Sequence, residues 1–141
     1  QRDYTAEDVR VIAQKQFLQK KEAVVANLSV CPKNQKKIII ADTELIVTKI
    51  WYEYIFKKKC VWIDEHIAKQ DFDLYLLTNV DVKWVADPQR EHSDAAQRQE
   101  IFELYENILR NLGLPFLVIR GNDYKNRLEQ AKQAVDELFE A

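Results

Sequence analysis

Residues 36–44 read Lys-Lys-Ile-Ile-Ile-Ala-Asp-Thr-Glu, and this stretch constrains the fold more than any other in the chain. Ile38, Ile39, Ile40 and Ala41 form a continuous apolar run. Such a run is the pattern of a strand covered on both faces, as in parallel α/β sheets. Lys36 and Lys37 mark its solvated start. Ligands in open α/β sheets bind beyond the carboxyl ends of the strands, so Asp42, Thr43 and Glu44 emerge where chemistry is expected.

The remainder of the sequence alternates helical and strand patterns. Thr5-x-x-Asp8 resembles a capping box, and Val9, Ile12, Ala13 and Phe17 follow at helical spacing, predicting a helix from Thr5 to about Ala26. Residues 27–35, with Pro32, read as a loop. Leu45, Thr48, Tyr52, Ile55 and Phe56 share a helical face, with Trp51 and Tyr54 beside it. These two rings are expected to pack on neighbouring elements. Trp62, Ile63, Ile67 and Ala68 suggest a shorter helix. A second buried strand is predicted over residues 74–78 and a third over residues 116–119. Between them lie a charged loop over residues 79–93, closed by Ser93 as a cap, and a helix from Asp94. That helix presents Ile101, Leu104, Tyr105, Ile108 and Leu112, and ends at Gly113. A last helix carries Tyr124, Leu128, Ala131, Val135 and Leu138. Three buried strands separated by amphipathic helices predict an α/β fold with parallel pairing, arranged as one domain over residues 1–141.

Composition narrows the functional classes. At 141 residues and 47% hydrophobic content there is enough apolar material for a core. A net charge of -2 gives no electrostatic footprint for nucleic acid or an anionic membrane, and Lys57, Lys58 and Lys59 read as a solvated helix end. No apolar segment approaches the roughly 20 residues of a membrane span, and the first residues lack signal-peptide character, so a cytoplasmic location is expected. Cys31 and Cys60 lack CxxC spacing and read as free structural thiols; His66 and His92 are too far apart to suggest a metal cluster. The absence of methionine is expected of a piece of a longer protein, a processed form, or a sequence that omits modified residues. With two glycines, Gly113 and Gly121, the chain is poorly equipped to wrap backbone around phosphates.

Two motifs carry candidate chemistry. Four hydrophobic residues followed by an acid is the Walker B arrangement, in which a rigid strand end offers a hard oxygen to Mg²⁺ beside a triphosphate. The competing reading is an ordinary strand whose acid caps the next helix. The second motif is Trp84-Val85-Ala86-Asp87 with Arg90, followed by Arg98 at the start of the next helix. Planar guanidinium forks match phosphoryl oxygens, which suits a lid over a transferring phosphate. Surface arginines paired with Asp87, Glu91 or Asp94 are the structural alternative.

On these residues, together with Phe72-Asp73-Leu74-Tyr75-Leu76-Leu77-Thr78 and the stretch from Leu112 to Leu128, nearly the whole chain resembles the ribosylnicotinamide kinase domain of NadR-type proteins, an AAA-like P-loop family. The resemblance implies a three-layer P-loop-kinase-like sheet flanked by helices, of which this chain is the C-terminal portion. It also implies MgATP-dependent phosphorylation of the 5′-hydroxyl of nicotinamide riboside. Asp42 would match the first Walker B acid, orienting or deprotonating the riboside hydroxyl and binding Mg²⁺. Glu44 stands in place of an Asp and would help hold Mg²⁺ through water. Asp87 and Arg90 match an Ala-Asp-Gly-x-Arg pattern, with Asp87 on the substrate side. Arg98 matches the basic residue opening the following helix, and Gln16 and Phe17 would face the riboside. Nucleic acid would be met only through an upstream repressor domain of the kind that some members carry.

The sequence departs from the family pattern at two places. Pro88 stands where the family has Gly, fixing φ near about −65° and altering lid closure. No GxxxxGK[ST] run occurs in these 141 residues, so the phosphate cradle, its strand and its lysine are missing from them. The isolated stretch is therefore expected to be inactive, with the kinase activity belonging to the full-length protein. The alternatives are a non-catalytic regulatory or interaction module, and a nucleoside or nucleotide kinase with another acceptor.

Overall fold

The computed structural model describes residues 4–30, 37–85 and 94–140, apart from the side chains of 27–30. It divides into two compact units, residues 1–70 and 71–141.

The first unit is helical. Helix α1 spans Ala6–Val30. Its start is the capping box read from the sequence: the Asp8 carboxylate accepts from the backbone N–H of Thr5 at 2.9 Å, and the Asp8 N–H donates to Thr5 Oγ1 at 3.2 Å. The helix continues to Val30, four residues past the expected end. Helix α2 covers Leu45–Phe56 and helix α3 Val61–Ile67. Val9, Ala13 and Phe17 of α1, Leu45, Ile46 and Ile50 of α2, and Ile63 and Ile67 of α3 are all buried. Burial in α2 is concentrated in its first half, and Ile55, expected on the core face, is exposed. Lys49 links α2 to α3 by donating to Glu53 on its own helix and to Asp64 on α3. Burial alone would lower the Lys49 pKa, but the bonds to Asp64 and Glu53 outweigh it and hold the ammonium charged. Trp51 meets Tyr4 edge to face at 5.6 Å, the neighbouring packing expected of it.

Residues 37–41 correct the sequence reading. The run expected to be a covered central strand forms no strand ladder among the described residues. Ile38 is 54% and Ile40 86% exposed. Apolar patterning specifies burial against neighbours, and no described strand supplies the hydrogen-bonding edge that this segment needs.

The second unit holds two parallel strands, β1 (Tyr75–Thr78) and β2 (Phe116–Ile119), paired in register from Tyr75 opposite Phe116 to Thr78 opposite Ile119. The sequence places both strands correctly. Helix α4 (Ala95–Asn111) joins them, and helix α5 (Tyr124–Glu140) follows. Both strands were expected to be covered on two faces, yet burial alternates along each and leaves Leu76 and Leu117 exposed. The cap of α4 is Asp94, whose carboxylate accepts from Ala96 and Gln97 N–H groups; Ser93 lies outside the described residues. The buried residues of α4 are Phe102 and Leu109, one step round from the expected stripe.

Helix α5 also turns differently from its apolar pattern: Tyr124, Leu128 and Leu138 are exposed. Polar anchors account for this. Arg127 donates to the carbonyls of Gly121 at 3.0 Å and Asn79 at 3.2 Å, tying together the ends of β1 and β2. The Gln130 amide brackets Arg120, accepting from its N–H at 3.0 Å and donating to its carbonyl at 2.8 Å. These bonds satisfy backbone groups just past the end of the ladder and fix the helix rotation.

Helix α4 ends in a Schellman motif. The Leu114 N–H donates to the Leu109 carbonyl and the Gly113 N–H to that of Arg110, with Gly113 at φ 63°. A Cβ at Gly113 would meet nothing within 4 Å, so a substitution there is opposed by the backbone conformation alone. Gly113→Ala is expected to lower stability by about 1–2 kcal/mol in urea unfolding, and Gly113→Asn by less.

Candidate functional site

The N-terminus of α2 organises the candidate site. Glu44, in extended conformation at φ −152°, is its N-cap. One carboxylate oxygen accepts from the Ile46 N–H at 2.8 Å and from Gln70 Nε2 at 2.7 Å, and the other from the Val47 N–H at 3.1 Å. Gln70 also accepts from the Leu45 N–H at 3.1 Å, so its amide caps both the helix and the capping acid. Burial raises the pKa of Glu44 above its ordinary value, opposed by the bonds from Ile46, Gln70 and Val47. Glu44 was expected beside Mg²⁺, and the structure engages both its oxygens in holding α2.

Asp42 is exposed and has no hydrogen-bond or ion-pair partner among the described residues. Between the two acids Thr43 has φ 69°, a left-handed conformation uncommon for a β-branched residue. It is held from α1: Gln16 Nε2 donates to Thr43 Oγ1 at 3.0 Å, while Gln16 Oε1 accepts from Thr48 Oγ1 at 2.9 Å. Thr48, 5% exposed, lies within 3.3 Å of the Glu44 carbonyl as well. The structure thus brings Gln16 into the same small network as the residues flanking Asp42. Sequence reading missed Gln70 and the bracing roles of Thr43 and Thr48; Thr48, the polar residue on the apolar face of α2, was the available signal.

Phe17, assigned to the riboside by family likeness, lies in the core of the first unit. It is 7% exposed, meets Trp62 and His66 edge to face at 6.0 and 5.1 Å, and carries Lys21 Nζ 4.7 Å from its ring centre. Trp62 and His66 stack at 3.9 Å. His66 Nδ1 lies 2.8 Å from the Trp62 carbonyl, which can only accept, so the proton is on Nδ1.

The arginine motif belongs to the second unit. The Arg98 guanidinium lies 4.6 Å from the ring centre of Trp84, a cation–π contact joining the two ends of the expected lid segment. Asp87, Arg90 and Pro88 lie outside the described residues. Among the described residues no group of three or more His, Cys, Asp or Glu side chains is placed to hold a metal ion, and no helix is long and apolar enough to cross a membrane.

A family model described as an AAA domain matches residues 1–127. The chain belongs to this AAA domain family. Among curated proteins it is 24% identical over 107 residues to the trifunctional NAD biosynthesis/regulator protein NadR of Escherichia coli, a match covering 76% of this chain and 26% of that protein. The corresponding protein of Salmonella typhimurium is 23% identical over the same span. The chain therefore covers about a quarter of the length of the curated relatives it matches. These matches bear out the resemblance to NadR-type proteins. The small parallel sheet is compatible with a P-loop-like fold.

The cap at Glu44 can be tested through stability. Glu44→Ala is expected to cost about 1–2 kcal/mol. Because the folded carboxyl binds its proton more tightly than the unfolded one, this contribution to stability is fully present below the unfolded pKa and falls as pH rises through the folded pKa. The stability advantage of the wild type over Glu44→Gln in urea unfolding should shrink across that window. An advantage that grows with pH would show the charge-favouring hydrogen bonds, and not burial, to dominate.

Proposed function

We propose that the full-length protein transfers the γ-phosphoryl group of ATP to the 5′-hydroxyl of nicotinamide riboside, with Asp42 as the group that meets the acceptor. The observation that carries this reading is a carboxylate with no partner among the described residues, at the end of an apolar run and beside a tightly capped helix. An acid in that setting is available for chemistry, whereas its neighbour Glu44 is committed to structure. The relatives' naming as NAD biosynthesis proteins supports the choice of acceptor.

In this reading Asp42 orients the 5′-hydroxyl and accepts its proton as the new O–P bond forms and the bond to ADP breaks. Phosphoryl transfer asks the protein chiefly for positioning and charge neutralisation. The donor set at the turn suits Mg²⁺, which retains several waters and takes one or two carboxylates: Asp42 offers one hard oxygen ligand, and the ion when bound would neutralise charge on the phosphates. Arg90 and Arg98 are assigned to the transferring group and Asp87 to the substrate side. The described residues contain no glycine-rich phosphate cradle, so ATP binding is assigned to the full-length protein.

The absence of a GxxxxGK[ST] run from these 141 residues favours a second reading, a non-catalytic module of a NAD-biosynthesis protein. Incubating the full-length protein with MgATP and nicotinamide riboside is expected to yield nicotinamide mononucleotide and ADP. No product above background removes the acceptor assignment, and a panel of other nucleosides and nucleotides then separates a different kinase from the non-catalytic module. Asp42→Asn is expected to reduce turnover by about 10²- to 10⁴-fold with an unchanged unfolding midpoint. Near-normal turnover would refute its role.

A further inference from the structure

We propose that Gln16 is a positioning residue which sets the direction of Asp42 through Thr43, and that it does not bind the acceptor. The inference rests on the reading of Asp42 as the group that meets the acceptor, and on geometry that is independent of that reading.

Both functional ends of the Gln16 amide are engaged with the turn and the helix that follows. Nε2 donates to Thr43 Oγ1 at 3.0 Å and Oε1 accepts from Thr48 Oγ1 at 2.9 Å. The Thr48 hydroxyl has one proton, and the shorter approach is to Gln16, with the Glu44 carbonyl farther away at 3.3 Å. In this arrangement the amide oxygen faces Thr48 and the nitrogen faces Thr43. The anchor is firm, because Thr48 is buried and Ala13 and Phe17, on either side of Gln16 along α1, are core residues.

Thr43 needs such an anchor. A β-branched residue in the left-handed region is disfavoured and persists where surrounding contacts hold it. On its C-terminal side the chain is fixed by the Glu44 cap, and on its side chain by Gln16. The remaining neighbour is Asp42, whose carboxylate has no partner of its own among the described residues. Its direction is therefore inherited from the backbone at Thr43. Releasing the Gln16 tether lets that backbone relax and swings the carboxylate away, a change felt in the chemical step.

The test uses full-length protein carrying Gln16→Ala, Thr43→Val, Thr43→Ser, and the Gln16→Ala/Thr43→Val pair. With MgATP and nicotinamide riboside, Gln16→Ala and Thr43→Val are each expected to lower kcat by about 10- to 100-fold while KM for the riboside stays within about twofold. The double variant should be no worse than either single one, and Thr43→Ser, which keeps the hydroxyl, should recover the rate lost in Thr43→Val. A rise in riboside KM with kcat retained would make Gln16 an acceptor contact and overturn the proposal, as would normal kcat in Thr43→Val. If the wild type forms no product, the functional reading fails, and the brace is judged by the double-mutant cycle in urea unfolding. Coupling between Gln16 and Thr43 then supports it, and additivity overturns it.

Discussion

The hydrogen bonds at the first turn of α2 are the constraint on which the candidate site depends. Free N–H groups at a helix start must be satisfied, and here Glu44 and Gln70 take those of Leu45, Ile46 and Val47. Leu45 and Ile46, among the most deeply buried residues of the chain, are thereby held at the entry to α2. A cap in this position does two things at once. It fixes where the helix begins, and it fixes where the preceding turn must end. Asp42, two residues upstream, is left outside the capping network, so one acid serves structure while the other stays available.

The arrangement explains how a short polar sequence yields two acids of different character. Glu44 has the longer side chain and folds back over the helix start, where burial disfavours its charge. Asp42 precedes a left-handed residue and projects into solvent. The competing sequence reading gave the capping role to the acid that ends the apolar run, whereas the cap of α2 is Glu44, two residues further on.

Much of the architecture was legible because it depends on local chemistry. The Thr5–Asp8 capping box, the Gly113 terminus, and the strands ending at Thr78 and Ile119 follow from neighbouring residues in the sequence. Features set by distant partners were not legible. The rotation of α5 depends on Arg127 and Gln130 reaching backbone groups near the strand ends, which an apolar count of the helix ignores. The cover predicted for residues 38–41 requires a neighbouring strand edge, and periodicity cannot say whether one is present. At the candidate site, Asp42 could be chosen from its place after the run, and Gln16 from family likeness. The tether from Gln16 to Thr43 spans 27 positions, and the left-handed turn at Thr43 carries no glycine to announce it.

The exposed isoleucines bear on how this polypeptide behaves when handled alone. Side by side, Ile38, Ile39 and Ile40 present branched hydrocarbon to water, on a segment that joins no strand ladder among the described residues. Exposed apolar segments of this kind are a general hazard for contact between copies when a polypeptide is concentrated.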